Sequence, residues 1–231
     1  MFTSYRHPDN ESPAYVIHNA FDSDDCYTII ERYKNNTRKA THVTKEGGLV
    51  GGINSTRDSN VAFISEPGII GKIQEFIKVA NHVTAWEFDI TMTEDIQFTK
   101  YGPEQHYSWH FDGFGDNHAK RIFAFPNDMP ENPGLKFTTT PQAINTVRKI
   151  SASVVLNDDY SGGEFDTAWL DAEGGDLPIR KSTFKPKTGD MIIFPSYTPH
   201  RVRPVRVGTR YSLVVWAGSH GPRSKESIDK A

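Results

Sequence analysis

The stretch TGDMIIFPSYTPHRVRPVRVGTRYSLVVWAGS, residues 188–219, decides how the chain is read. Its apolar residues come in short runs, broken every few positions by Pro, Gly or Asp. Such a pattern predicts short strands joined by tight turns, here over 191–194, 200–205 and 209–218. Upstream, runs of period two over 96–101, 107–112, 150–157 and 163–167 extend the series. Strands in succession with no helix between them point to a sandwich or jelly roll.

Two helices precede the strands. Over 21–36, Asp22 or Ser23 supplies a cap, Asp24 and Asp25 suit the positive end of the helix dipole, and Ile29, Ile30 and Tyr33 share a face. Over 67–80, Pro67 suits the first turn, and Ile69, Ile70, Ile73, Phe76, Ile77 and Ala80 recur at helical spacing. Between them EGGLVGGINSTRDSN (46–60) reads as a loop or irregular hairpin, with neither a dinucleotide fingerprint nor a phosphate loop. The expected fold is mainly β with flanking α-helices, in one domain. Residues 1–90 form a helical support region, 91–219 the jelly roll and 220–231 a tail. The segment 113–148, with Pro126, Pro130, Pro133, Pro141 and Thr138–Thr140, is expected to be a lid.

Composition narrows the function classes. Hydrophobic residues at 36% and charged residues at 24% describe an ordinary globular chain, and a net charge of −3 gives no global field for nucleic acid or anionic membrane. A single cysteine, Cys26, excludes a disulfide framework and a multi-cysteine metal site. The start, MFTSYRHPDN, has neither the basic nor the apolar region of a secretory leader, and no apolar run approaches a membrane span. A cytoplasmic monomer or homodimer is expected.

The chemistry is carried by polar residues on apolar strands. In YSWHFDGF, residues 107–114, alternation puts Trp109 and Phe111 on one face, expected to join the core, and His110 and Asp112 on the other. Burial penalises an imidazole and a carboxylate unless something satisfies both; a metal ion does, and a solvated face is the alternative. Downstream, His200 follows a proline-containing turn, and Arg210 shares strand parity with Ser212, Val214 and Trp216. A guanidinium in so apolar a strand needs an anion, either a ligand carboxylate or an internal Asp, unless the strand is an exposed edge. Two His and one carboxylate leave three positions of a metal open, as in non-haem Fe(II) oxygenases.

The pattern resembles the Fe(II)- and 2-oxoglutarate-dependent dioxygenases, in particular the prolyl 4-hydroxylase-like branch, over roughly residues 91–219. The Tyr107–His110–Asp112 spacing, the turn LNDDYSGGE (156–164) and the block Gly189, Asp190, Pro199, His200, Val205, Gly208, Arg210 and Trp216 carry the resemblance. It implies a double-stranded β-helix with Fe(II) held by His110, Asp112 and His200. Arg210 would bind the distal carboxylate of 2-oxoglutarate, Ser212 would be a second donor, and Tyr101 would lie beside it. Tyr107 is a further candidate for the cosubstrate, although its parity matches Trp109, so a bulge would be needed to turn it inward. Arg148 and Trp216 would face the substrate. Val155 departs from the pattern, since some prolyl hydroxylases carry a tyrosine there.

The implied reaction uses O2 and 2-oxoglutarate, with ascorbate as reductant, to hydroxylate an unactivated C–H and release succinate and CO2. The substrate implied is a prolyl residue of a peptide or protein. A free amino acid or other small molecule is the alternative. A nucleic-acid demethylase of this fold would need a basic groove, for which the run from Arg201 to Arg206 is the only candidate. A zinc hydrolase would use an HExxH helix, which the sequence lacks, and a non-catalytic jelly roll would have lost a ligand or the arginine. With Asp112 present, no iron position is left vacant for halide.

Overall fold

Two antiparallel sheets share one apolar interior, and the two helices cover the outer face of the larger sheet. The computed structural model describes residues 3–6, 13–43, 49–51, 57–113, 146–170 and 179–220. Residues 114–145 of the expected lid and 221–231 of the expected tail lie outside the described residues.

The larger sheet has nine strands. Its order is Thr3–Arg6, Tyr15–His18, Met191–Pro195, Thr146–Val155, Arg210–His220, Ile96–Tyr101, Asn60–Ile64 and Arg38–Lys39, and Met92–Thr93 also pairs with Arg210–His220. The smaller sheet has five, in the order Ile179–Phe184, Phe165–Leu170, His200–Val202, His106–His110 and Arg57–Asp58. Successive strands thus pass between the sheets, which is the jelly-roll arrangement expected.

Alternation along the strands builds two apolar clusters. Met191 and Ile193 turn toward the helices, where they meet Cys26, Ile29, Ile73, Ile77, Phe98 and Leu213. Ile192 and Phe194 turn into the roll against Phe165, Phe184, Val202 and Tyr101. Burial on both faces explains why this strand reads as a continuous apolar run.

The helices run over Ser23–Tyr33 and Pro67–Val83, against expected spans of 21–36 and 67–80. Asp22 caps the first, its side chain accepting from the Asp25 N–H at 2.7 Å. The second extends one turn further and closes where Thr84 Oγ1 donates to the Ala80 carbonyl at 2.6 Å. No described helix is long and apolar enough to cross a membrane.

The N-terminal third is not only helical support. Tyr15–His18 and Asn60–Ile64 enter the larger sheet, and Arg57–Asp58 enters the smaller. The Tyr15–His18 strand is held by pairing with Met191, Ile192 and Ile193, a contact local sequence does not announce. The expected strand 200–205 divides at Pro204: His200–Val202 stays in the smaller sheet, while Val205–Val207 pairs with Ser161–Gly162.

Candidate active site

A bulge in the strand His106–His110 organises the site. Tyr107 lies opposite Val202 and His110 opposite His200, so one extra residue separates the pairs on the His106–His110 side. That extra residue turns both Tyr107 and His110 into the roll, as the resemblance required of Tyr107. The Tyr107 ring lies on the His110 ring, with centroids 3.4 Å apart. The Arg57 guanidinium lies over Tyr107, 4.7 Å from its centroid.

Trp109 and Phe111 are not core residues. Trp109 packs beneath Arg201 and Lys181 at 4.7 and 5.8 Å, and Phe111 is 48% exposed. The roll interior at this level is taken by imidazoles and a carboxylate, so the aromatic face of the strand turns outward under cationic side chains.

Backbone carbonyls set the two imidazoles. His110 Nδ1–H donates to Ser108 C=O at 2.8 Å, and His200 Nδ1–H donates to Thr198 C=O at 2.9 Å. A carbonyl only accepts, so both rings present an Nε2 lone pair inward. His110 Nε2 is 3.8 Å from Asp112 Oδ1, and His200 Nε2 is 3.4 Å from Asp112 Oδ2. The three ligand atoms lie within 4.8 Å of one another. Asp112 is held from behind: its N–H and that of Gly113 donate to Ser196 C=O at 3.0 and 2.9 Å. Gly113 is required there, because a Cβ would come within 2.9 Å of the Arg148 carbonyl.

Electrostatics complete the fit to a divalent cation. Burial first, and then the neighbouring His200, push the His110 imidazole down to about 3, so it stays neutral. Burial works to raise the Asp112 carboxyl, but His200 and His110 outweigh it, with help from Arg148 and Trp216, and hold it below the usual carboxylate range. A carboxylate and imidazole lone pairs converging on one point are the donor set that an iron ion with open positions requires.

Arg210 lies in the strand between Thr146–Val155 and Ile96–Tyr101 and is 1% exposed. Its Nη1–H donates to Ser212 Oγ at 3.0 Å, its Nε has no partner, and no carboxylate of the described residues pairs with it. An internal Arg–Asp pair and an exposed edge strand are both excluded among the described residues. Tyr101 pairs with Arg210 across the ladder and presents its ring 5.7 Å from the guanidinium. Burial raises the Tyr101 hydroxyl, so it remains a donor. Val155, the departure from the family pattern, is buried. An orphaned buried guanidinium with a hydroxyl and a phenol beside it suits an anionic cosubstrate.

Arg148 is ion-paired with Glu94 and lies over the Trp216 ring, 3.6 Å from its centroid. Arg201 and Arg203 both donate to the buried Asp166, at 2.6 and 2.8 Å, so the basic run from Arg201 is partly neutralised. Sequence reasoning missed Arg57 and Glu94. Neither stands at a ligand-like spacing, and Arg57 reaches the site only through its pairing with Tyr107.

The profile of the 2OG-Fe(II) oxygenase superfamily matches residues 96–218, more than half of the chain. The chain belongs to this superfamily. Among individual oxygenases, it is 42% identical over 76 residues to a PKHD-type hydroxylase of Colwellia psychrerythraea, covering 31% of this chain and 34% of that protein. It is 38% identical over 73 residues to human prolyl 3-hydroxylase 2, covering 31% of this chain and 10% of that protein. The matched stretch therefore spans about a third of the bacterial relative and a tenth of the human one. Among solved structures, the oxygenase fold aligns with the viral collagen prolyl hydroxylase of Paramecium bursaria Chlorella virus-1 at a TM-score of 0.58 and 18% identity, over 92% of this chain and 99% of that one. It aligns with a prolyl hydroxylase of Trichoplax adhaerens, solved with a hypoxia inducible factor peptide fragment, at 0.61 and 15%, over 91% and 85%. These likenesses establish the jelly-roll fold.

Proposed function

We propose that the protein is an Fe(II)- and 2-oxoglutarate-dependent dioxygenase that hydroxylates a prolyl residue in a peptide or protein. The observation that carries the reading is one interior holding both a three-ligand cluster and a buried guanidinium without a carboxylate partner among the described residues. His110, Asp112 and His200 would hold Fe(II). When bound, the iron supplies activation of O2 coupled to oxidative decarboxylation of 2-oxoglutarate to succinate and CO2.

The chain's own residues orient and shield. Arg210 binds the distal carboxylate of the cosubstrate, and Ser212 and the Tyr101 hydroxyl line the same end. The phenolic donor and the guanidinium act in an interior from which water is largely excluded, where such contacts are strong. Arg148, fixed by Glu94 over Trp216, forms the wall beside Asp112 against which the substrate would lie. A peptidyl substrate is favoured by the prolyl hydroxylases among the relatives, one of them solved with a peptide fragment bound. Ascorbate is the reductant proposed to keep the iron as Fe(II).

The experiment is mass spectrometry of proline-rich peptides incubated with protein, Fe(II), ascorbate and 2-oxoglutarate, with succinate measured in parallel. One added oxygen on proline is expected, and His110→Ala and His200→Ala should abolish succinate formation. Oxidation of a free amino acid or an alkylated nucleobase, with no peptide modified, would overturn the substrate. Absence of iron-dependent succinate formation under every condition would overturn the reaction.

A further inference from the structure

We infer that the turn 156–164 is the device that sets the Arg210 guanidinium, with Asn157 as its positioning residue. The inference rests on the reading of Arg210 as the cosubstrate anchor, and nothing in that reading assigns Asn157 a part.

The need for such a residue follows from the ladder. Arg210–His220 pairs with Thr146–Val155 as far as Ser212, which lies opposite Val155. One further backbone bond, from Leu156 N–H to Tyr211 C=O at 3.0 Å, continues that side. Beyond it the partner chain turns away, and the peptide groups flanking Arg210 would lose their support there. Asn157 supplies it. Its Oδ1 accepts from Tyr211 N–H at 2.8 Å, and its Nδ2–H donates to Thr209 C=O at 2.7 Å. A primary amide has the donor and acceptor of a peptide group, so the side chain takes the place of the next ladder residue. It grips the chain on both sides of Arg210. The second Nδ2–H goes to the Asp159 carboxylate, which uses the remaining donor and fixes the amide's orientation.

The far end of the turn meets the same arginine through its side chain. Gly162 and Gly163 have φ of +74° and +65°, and a Cβ on Gly163 would stand 3.1 Å from Arg210 Cδ. The Gly163 N–H donates to Pro204 C=O at 3.0 Å, which holds the glycine in place. The turn therefore bears on Arg210 in two ways: Asn157 bonds the peptide groups on either side of it, and Gly163, by lacking a Cβ, leaves room for its stem. Of the fork's own atoms, Nη1–H is held by Ser212 Oγ at 3.0 Å and Nε has no partner among the described residues, so the placement of the backbone and stem contributes to where the fork points. A fork meeting a carboxylate must be placed closely, so loss of the clamp should appear in cosubstrate affinity.

The test uses the full chain loaded with Mn(II), without turnover, and measures 2-oxoglutarate binding by calorimetry. Asn157→Ala should weaken 2-oxoglutarate about tenfold, the equivalent of one lost hydrogen bond, with Mn(II) affinity unchanged. Asn157→Asp keeps the acceptor for Tyr211 N–H but sets a carboxylate against Thr209 C=O and the Asp159 carboxylate, so it should weaken 2-oxoglutarate at least as much as Asn157→Ala. Asn81→Ala is the control for general loosening. Asn81 clasps both the N–H and C=O of Phe88, at 3.0 and 2.9 Å, in the same two-ended way, without bonding the Arg210 strand. It should leave 2-oxoglutarate affinity unchanged whatever it costs in stability. Folded Asn157 variants that bind 2-oxoglutarate like the parent, while Arg210→Ala does not, would overturn this inference alone. If Arg210→Ala also binds normally, the reading of the anchor itself falls. Failure of both Asn157 variants to fold, or an equal loss in Asn81→Ala, would make Asn157 a general structural residue and overturn its assignment.

Discussion

The Tyr107 ring lies flat on the His110 imidazole, with centroids 3.4 Å apart and planes 11° apart. The stack exists because the bulge turns both residues inward, and Arg57 closes its other side. With Nδ1 tied to Ser108 C=O, the His110 ring is held in plane by a hydrogen bond and against tilt by an aromatic face. Tyr107→Ala should therefore weaken metal affinity by about tenfold, the lower end for loss of a group that orients a ligand. Tyr107→Phe keeps the stack and should bind metal like the parent. A Co(II) titration followed by absorbance measures both, and equal affinity in Tyr107→Ala would show that the stack plays no part in holding the ligand.

Arg210→Ala should raise the apparent 2-oxoglutarate requirement about a hundredfold, since a charge-assisted hydrogen bond contributes about 1.5–3 kcal/mol. Metal affinity should barely change, because Arg210 bonds to none of the three ligands. Arg210→Lys should restore little, as an ammonium cannot reproduce the two-pronged fork. Succinate formation against 2-oxoglutarate concentration is the measurement. An unaltered dependence in folded Arg210→Ala would place the anion elsewhere.

Glu94→Gln removes the charge that holds Arg148 over Trp216. If that group forms the substrate wall, KM for a peptide substrate should rise severalfold while 2-oxoglutarate affinity stays the same. A change confined to 2-oxoglutarate would assign Arg148 to the cosubstrate.

Cys26 provides a pH test away from the site. Burial first, and then Asp22 and Asp25, push its thiol up to about 12 from an ordinary value of 9.0. The folded state keeps the proton at pH values where the unfolded thiol has lost it. The stability this contributes is complete below the ordinary value and lost as pH rises from there toward the folded value. The urea midpoint should accordingly fall between about pH 9 and 11, and less steeply in Cys26→Ala. In the folded protein at about pH 8, a thiol reagent should not label Cys26 until the chain is unfolded.

Most strands from Ile96 onward and the HxD, His and Arg constellation were legible because both are periodic or closely spaced patterns; the edge strand Ile179–Phe184, largely exposed, was not. Alternation marks a strand wherever one face is buried, and a carboxylate two residues from an imidazole shares its face without help from distant chain. The residues proposed to hold metal and cosubstrate were thus legible in the sequence, along with the two amphipathic helices. Which face of the 107–112 run turned inward was not. Trp109 and Phe111 read as core until the ladder with His200–Val202 placed His110 and Tyr107 inside and gave Trp109 to Arg201 and Lys181. The Tyr15–His18 strand, the Arg148–Glu94 pair and the cover of Arg57 over Tyr107 were likewise decided by tertiary structure. Each joins residues far apart in the chain, and such a contact leaves no periodicity in either local sequence, because its energy appears only when the sheet brings the partners together.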